Sequence, residues 1–221
     1  MSRPPISLPR LYPIVDASLF RGTAAMLDFA CELAAAGATL LQYRNKKGSP
    51  RQMLSDAREL RRVLGRAVTL IMNDRPDLCV MAGCDGVHVG QEDLSPASAR
   101  AILQAEEAEP TAGAAARKPL WLGVSTHNPE QLRVADQQDT DYLAIGPVFT
   151  TGSKENPDPV VGLEGVRGAR ELTRKPLVAI GGITPENCRS VLEAGADSVA
   201  VISVLLENPR KSVAAFFRVL G

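Results

Sequence analysis

Short apolar runs rich in Val, Ile and Leu alternate along this chain with Ala- and Leu-rich stretches whose apolar residues recur at helical spacing. The runs predict strands at Leu11–Asp16, Thr39–Tyr43, Val68–Asn73, Gly86–Val89, Leu120–Val124, Tyr142–Gly146, Leu177–Ile180 and Ser198–Ile202. The intervening stretches predict helices at Ala24–Ala36, Arg51–Leu64, Pro76–Met81, Pro96–Gln104, Pro129–Ala135, Gly162–Leu172, Pro185–Glu193 and Pro209–Leu220. Pro76, Pro96, Pro129 and Pro185 stand near helix starts, where a missing N–H leaves nothing unpaired. A quasi-repeat supports the register. Ala36-Gly37-Ala38, Ala82-Gly83-Cys84-Asp85 and Ala194-Gly195-Ala196-Asp197 each close a helix and open a strand, with glycine suited to a left-handed cap.

Strand–helix units whose strands are apolar on both faces predict an α/β fold, a single-domain (β/α)8 TIM barrel. The alternative is an open doubly wound sheet, but no GxGxxG turn follows the first strand. Residues 1–10 read as a flexible N-terminal segment, and 11–221 as the catalytic barrel. Within the barrel, Ala105–Lys118 reads as a helix end and a mobile loop.

Length and charge narrow the functional classes. A chain of 221 residues suits one barrel, and its 25 basic residues balance 25 acidic ones. That neutrality argues against a nucleic-acid or membrane-surface binder and leaves small-molecule substrates as the expected partners. Cys31, Cys79, Cys84 and Cys188 form no CxxC pair and read as reduced, packed thiols. Prolines interrupt the region where a signal peptide would be apolar, so a cytoplasmic location is expected. The oligomeric state stays open, a homodimer included.

The unusual polar residues follow the strands. Gln42, Arg44, Asn45 and Lys46 follow the second, and Asn73 and Asp74 the third. Gln91-Glu92-Asp93 follows the fourth and Ser125-Thr126-His127 the fifth. The sixth leads into Gly146 through Lys154, the seventh ends in Gly181-Gly182, and the eighth in Ser203. In a barrel these positions share the C-terminal rim, where barrel enzymes carry their active sites.

Arg44 and Lys46 read as an anion clamp, a planar fork beside a point charge, against the plainer reading of a solvated pair. Asp74 and Asp93 end adjacent strands, and two converging carboxylates call for a cation such as Mg2+. Asp74 alone would serve as a helix cap. Gly181-Gly182 with Ser203 suits a phosphate held by backbone N–H groups and a hydroxyl. His88 reads equally as a packed interior residue or as an acid or base. His127, at the rim, is the better candidate for proton transfer. Trp121 reads as core packing.

The segments Gln42-Tyr43-Arg44-Asn45-Lys46, Asn73-Asp74, Gly86 through Asp93, Gly123 through His127, Gly146 through Lys154 and Val201-Ile202-Ser203 resemble, in order, the thiamine phosphate synthase family. The resemblance implies a transferase that couples 4-amino-2-methyl-5-hydroxymethylpyrimidine diphosphate with a (carboxy)thiazole phosphate, giving thiamine phosphate and pyrophosphate. It implies that Gln42, Tyr43, Arg44, Asn45, Lys46, Asn73, Ser125 and Lys154 hold the pyrimidine diphosphate. It assigns one Mg2+ to Asp74 and Asp93, and catalysis to Arg44, Lys46, Ser125 and Lys154. Thr151, Gly152, Ser153, Gly182, Ile202 and Ser203 would hold the thiazole phosphate. The family usually has Thr where this chain has Ser153, so the hydroxyl is kept.

The implied chemistry needs no nucleophilic side chain. An aminopyrimidine can stabilise a methylene cation, so the protein's task is to stabilise departing pyrophosphate and orient the thiazole nitrogen. Two rivals are open to the sequence: the related thiazole tautomerase, in which His127 would move a proton, and a non-catalytic barrel sensing a phosphorylated ligand. The complete 42–46 segment with both aspartates favours the synthase.

Overall fold

The computed structural model describes residues 6–108, 118–151 and 158–221. Its strands are β1 (Leu11–Asp16), β2 (Leu40–Arg44), β3 (Thr69–Asn73), β4 (Gly86–Val89), β5 (Trp121–Thr126), β6 (Tyr142–Ile145), β7 (Leu177–Ile180) and β8 (Ser198–Val201). They pair in parallel, in sequence order, and close where Leu11 of β1 meets Val199 of β8. The expected (β/α)8 barrel is therefore the observed fold. Helices α1 (Thr23–Ala35), α2 (Pro50–Leu64), α3 (Pro76–Ala82), α4 (Pro96–Ala108), α5 (Pro129–Asp136), α6 (Gly162–Leu172), α7 (Cys188–Glu193) and α8 (Pro209–Leu220) surround it. No helix among the described residues is long and apolar enough to cross a membrane.

Local chemistry explains most boundaries. Proline opens α2, α3 and α5, and Ser49 and Asn128 cap α2 and α5 through side-chain oxygens. Gly37, Gly83 and Gly195, the repeat glycines, all have positive φ. One helix starts later than expected. Residues 185–187 form a turn, because the Asn187 side chain accepts from Thr184 N and donates to Gly182 O, and α7 begins only at Cys188.

Strand alternation sorts the interior into two cores. Leu41, Tyr43, Leu70, Met72, Val87 and their like face the helices and build the outer core. Tyr12, Ile14, Leu40, Ile71, Tyr142, Ala144, Val178 and Ala200 fill the barrel itself. Ile6 and Leu8, within the segment expected to be flexible, pack against this inner cluster. Trp121 packs there too. The four cysteines are free thiols, and all but Cys31 are buried.

One polar device recurs at the N-terminal end of the barrel. Asp85, Asp141 and Asp197 each donate their N–H to the carbonyl of Leu70, Leu122 or Leu177 at 2.8 Å. Each carboxylate then accepts the same leucine's N–H at 2.7 to 2.8 Å. Arg61, Arg100 and Arg170, from α2, α4 and α6, pair with the three carboxylates in turn. The chain thus ties β3, β5 and β7 each to the next strand and to the helix before it. This fixes the floor on which the opposite rim is built.

Candidate active site

The rim begins at a residue the sequence reading passed over. Asp16, the last residue of β1, lies in register with Arg44 of β2 and pairs with its guanidinium. Asp16 is 5% exposed, and its other oxygen accepts from Ser18 N and Oγ. A buried carboxylate with these partners holds Arg44 upright at the barrel mouth. The signal was available: Asp ends the first strand candidate on the same rim as the other polar residues.

Across β2, alternation divides the expected pyrimidine diphosphate residues. Gln42 and Arg44 point inward, and Gln42 donates to the Tyr12 hydroxyl at 3.0 Å. Tyr43 points the other way. It is fully buried in the outer core, and its hydroxyl donates to Asp56 at 2.8 Å. Its side chain therefore does not join the rim cluster. Asn45 donates to that hydroxyl at 3.2 Å and accepts from Lys47 N and Gly48 N, so it shapes the loop carrying Lys46.

Lys46, Asp74 and Asp93 do converge. The Lys46 ammonium contacts Asp74 and lies 3.7 Å from Asp93. Asp74 has φ +64, the one positive value at a non-glycine among the described residues, and its N–H donates to His88 O at 2.8 Å. Aspartate tolerates this left-handed backbone better than most residues, and here it is held by the β4 carbonyl. Arg75, not Asp74, occupies the cap position of α3, so the capping alternative is set aside. Gly90 N donates to Asp93 at 2.8 Å and orients the second carboxylate. Burial and the neighbouring Asp93 raise the Asp74 pKa to about 6, against the opposing pull of Lys46. Next to Asp74, the Asn73 amide nitrogen is buried with no hydrogen-bond partner among the described residues. A buried orphan donor at a barrel mouth suits a ligand's acceptor.

On β4 and β5, His88 is an interior residue. It is 8% exposed, its Nδ1 lies 3.1 Å from the Tyr142 hydroxyl and its Nε2 2.8 Å from Ser125 Oγ. Burial lowers its pKa to about 4. Gln91 donates to Ser125 O at 2.6 Å and braces the same residue from above. His127 lies elsewhere. Its Nδ1 meets Gly146 O at 2.7 Å and Asp158 at 3.4 Å. It lines a small cleft with Leu132 of α5, Ile145 of β6 and Ala169 of α6, all in the outer core, so its ring sits on the helix side of the rim.

The expected thiazole phosphate side is built by close backbone approach. Gly181 and Gly182 have φ +105 and +64, and a Cβ on either would stand 2.6 Å from Pro147 Cα or Thr150 O. Only glycine lets the β7 turn lie against the 147–150 loop, which Phe149 N clamps to Gly181 O at 3.0 Å. Ile202 packs against the inner cluster, and Ser203 opens a one-turn 3₁₀ segment with an exposed side chain. Thr151 is half-buried; Gly152, Ser153 and Lys154 lie outside the described residues.

Residues 11–205 match the thiamine monophosphate synthase family. The chain belongs to that family. It is 57% identical to the thiamine-phosphate synthase of Koribacter versatilis, over 97% of each chain. The thiamine-phosphate synthase of Chloroflexus aurantiacus is 40% identical over 93% of this chain and 89% of its own. A solved thiamine phosphate pyrophosphorylase from Pyrococcus furiosus superposes with a TM-score of 0.80 at 30% identity, covering 96% of this chain and 95% of that one.

For a thiamine monophosphate synthase family member, the donor set fits a divalent cation. Asp74 and Asp93 offer hard carboxylate oxygens converging on a position now next to an ammonium. Among the described residues no group of three or more His, Cys, Asp or Glu side chains forms a dedicated cage. Two carboxylates suit Mg2+, which keeps waters and takes substrate phosphate oxygens to complete its shell.

Proposed function

We propose that this chain couples 4-amino-2-methyl-5-hydroxymethylpyrimidine diphosphate with a (carboxy)thiazole phosphate, releasing pyrophosphate and forming thiamine phosphate. The observation that carries this reading is the convergence of Asp74 and Asp93 on one cation position beside the orphan Asn73 amide. The synthase names of relatives at 57% and 40% identity support it over a tautomerase.

Arg44, braced by Asp16, and Lys46 place positive charge against the diphosphate. Asn73 donates to it, and Gln42 and Ser125 orient the pyrimidine. When bound by Asp74 and Asp93, Mg2+ supplies further neutralisation of the leaving group. The methylene C–O bond breaks, its electron pair leaves with pyrophosphate, and the aminopyrimidine ring delocalises the positive charge. The thiazole nitrogen then gives its lone pair to the methylene carbon, forming the new C–N bond. Thr151, Gly182, Ile202 and Ser203 hold the thiazole phosphate in line, and the family resemblance assigns Gly152 and Ser153 to the same phosphate and Lys154 to the pyrimidine diphosphate.

The assembly we expect is a homodimer, and the reaction belongs in the cytoplasm. Incubation of the protein with both substrates and Mg2+ should yield thiamine phosphate and pyrophosphate in equal amounts. Binding of both substrates without product would refute the reading.

A further inference from the structure

Five buried or half-buried polar side chains form one line through the centre of the barrel. Gln42 Nε2 donates to the Tyr12 hydroxyl at 3.0 Å, and the Tyr12 and Tyr142 hydroxyls are 2.9 Å apart. Tyr142 reaches His88 Nδ1 at 3.1 Å, and His88 Nε2 reaches Ser125 Oγ at 2.8 Å. The line joins strands β2, β1, β6, β4 and β5, and its two ends are both residues assigned to the pyrimidine diphosphate. Tyr12 and Tyr142 are at most 1% exposed, so both hydroxyls lie out of reach of bulk water.

The direction of the line follows from proton counting. The Tyr12 oxygen accepts from Gln42, and the proton of Tyr12 goes to Tyr142. Tyr142 has then accepted on that side and gives its own proton to His88 Nδ1. An imidazole that accepts at Nδ1 and is neutral carries its proton on Nε2, from which it donates to Ser125. Ser125 is left with its own hydroxyl proton free to point into the rim. A protonated His88 would donate at both nitrogens and strand one tyrosine proton in an apolar interior, a costly outcome.

The packing is built around this line. His88 stacks on Tyr142 with ring centroids 5.5 Å apart, and Tyr12 meets Tyr142 edge-on at 6.2 Å. Gly123, in register between His88 and Tyr142, has no side chain; a Cβ there would overlap the Tyr142 ring. Glycine at this position therefore makes room for the phenol that carries the proton line across the barrel.

We infer that His88, Tyr142 and Tyr12 are positioning residues that hold Ser125 as a hydrogen-bond donor, aimed at an acceptor atom of the pyrimidine diphosphate. The inference rests on the assignment of Ser125 to the substrate site. Two measurements test it. In a 15N–1H correlation spectrum of the unaltered protein at neutral pH, His88 should be neutral with its proton on Nε2. A proton on Nδ1 would reverse the line and overturn the proposal.

The second measurement is a double-mutant cycle. Tyr142→Phe, which keeps the ring and removes the relay proton, should lower kcat/KM for the pyrimidine diphosphate about tenfold and leave the KM of the thiazole phosphate unchanged. In a Ser125→Ala background the same change should cost less than about twofold. Equal losses in both backgrounds would mean a purely structural role and would overturn the inference. A Ser125→Ala variant of full activity would overturn it by removing Ser125 from the site. Coupling of the two substrates would then still stand, so that failure is distinguishable from failure of the proposed function.

Discussion

The Lys46 ammonium bridges Asp74 and Asp93, two carboxylates carried to one point by the ends of adjacent strands β3 and β4. Within the protein alone, lysine compensates a pair of like charges that would otherwise repel. With a diphosphate present, the same three groups offer one cationic clamp and one metal seat. The pair is thus poised between two states of charge.

That poise gives a pH dependence. Metal binds the carboxylate form, and the Asp74 pKa stands at about 6, raised by burial and by Asp93. The apparent Mg2+ affinity should be level above that value and fall about tenfold per pH unit below it. Titration of Mg2+ activation across this window checks it. A flat affinity down to about pH 4, the ordinary carboxylate range, would contradict the raised pKa.

Lys46→Ala separates the two anion sites. It removes charge from the diphosphate side and leaves the glycine turn at β7 untouched. We expect kcat/KM for the pyrimidine diphosphate to fall ~10- to 100-fold, about 1.4 to 2.7 kcal/mol. The KM of the thiazole phosphate should change by less than about twofold. Equal weakening of both substrates would argue against two distinct sites.

His127 distinguishes coupling from tautomerisation. Its ring hydrogen-bonds Gly146 O and lines a cleft facing the helices, away from the Lys46 cluster. His127→Asn should form thiamine phosphate with a rate loss under ~30-fold, about 2 kcal/mol. An obligatory acid or base would cost ~10²- to 10⁴-fold. Steady-state coupling rates decide between these. Lys154→Ala should show the larger deficit of the two.

The repeated aspartate device predicts unequal stabilities for equivalent changes. Arg100 and Asp141 have side chains 4% and 7% exposed, whereas Arg170 and Asp197 are 26% and 48% exposed. Asp141→Ala removes the buried carboxylate from Arg100, which keeps Asp139 at 3.2 Å and the Asp139 and Leu120 carbonyls, and should cost about 3 kcal/mol. Asp197→Ala, in water's reach, should cost about 1 kcal/mol. Urea midpoints at matched slopes read the difference directly. Equal losses would mean that burial does not set the value of the device.

Much of this was legible in the sequence, for identifiable reasons. The boundaries of β1, β4, β7 and α6 follow from apolar runs and punctuating residues, and the AG-x-D repeats foreshadowed two of the three floor devices. The third, at Asp141, follows Thr140 with no glycine before it and left no such mark. The family resemblance, not position, groups Tyr43 with the rim residues, and period-two alternation sends its side chain outward between Gln42 and Arg44. Three of the five residues in the interior line were visible as polar strand residues. Their meeting was not, because contacts across a closed barrel depend on strand tilt and stagger, which local pattern does not encode. His88 had two open readings, and the contacts with Tyr142 and Ser125 decide for the interior one.

On the proposed reading, Asp74 and Asp93 seat the cation that holds the diphosphate. Pyrimidine diphosphate affinity should therefore be measured with and without Mg2+ in the unaltered protein and in Asp74→Asn. Mg2+ should tighten binding at least ~10-fold in the former and hardly at all in the latter, whose kcat should fall at least ~10²-fold with the fold intact. Thiazole phosphate affinity should be indifferent to both changes. Undiminished Mg2+ dependence with near-normal turnover in Asp74→Asn would contradict the account.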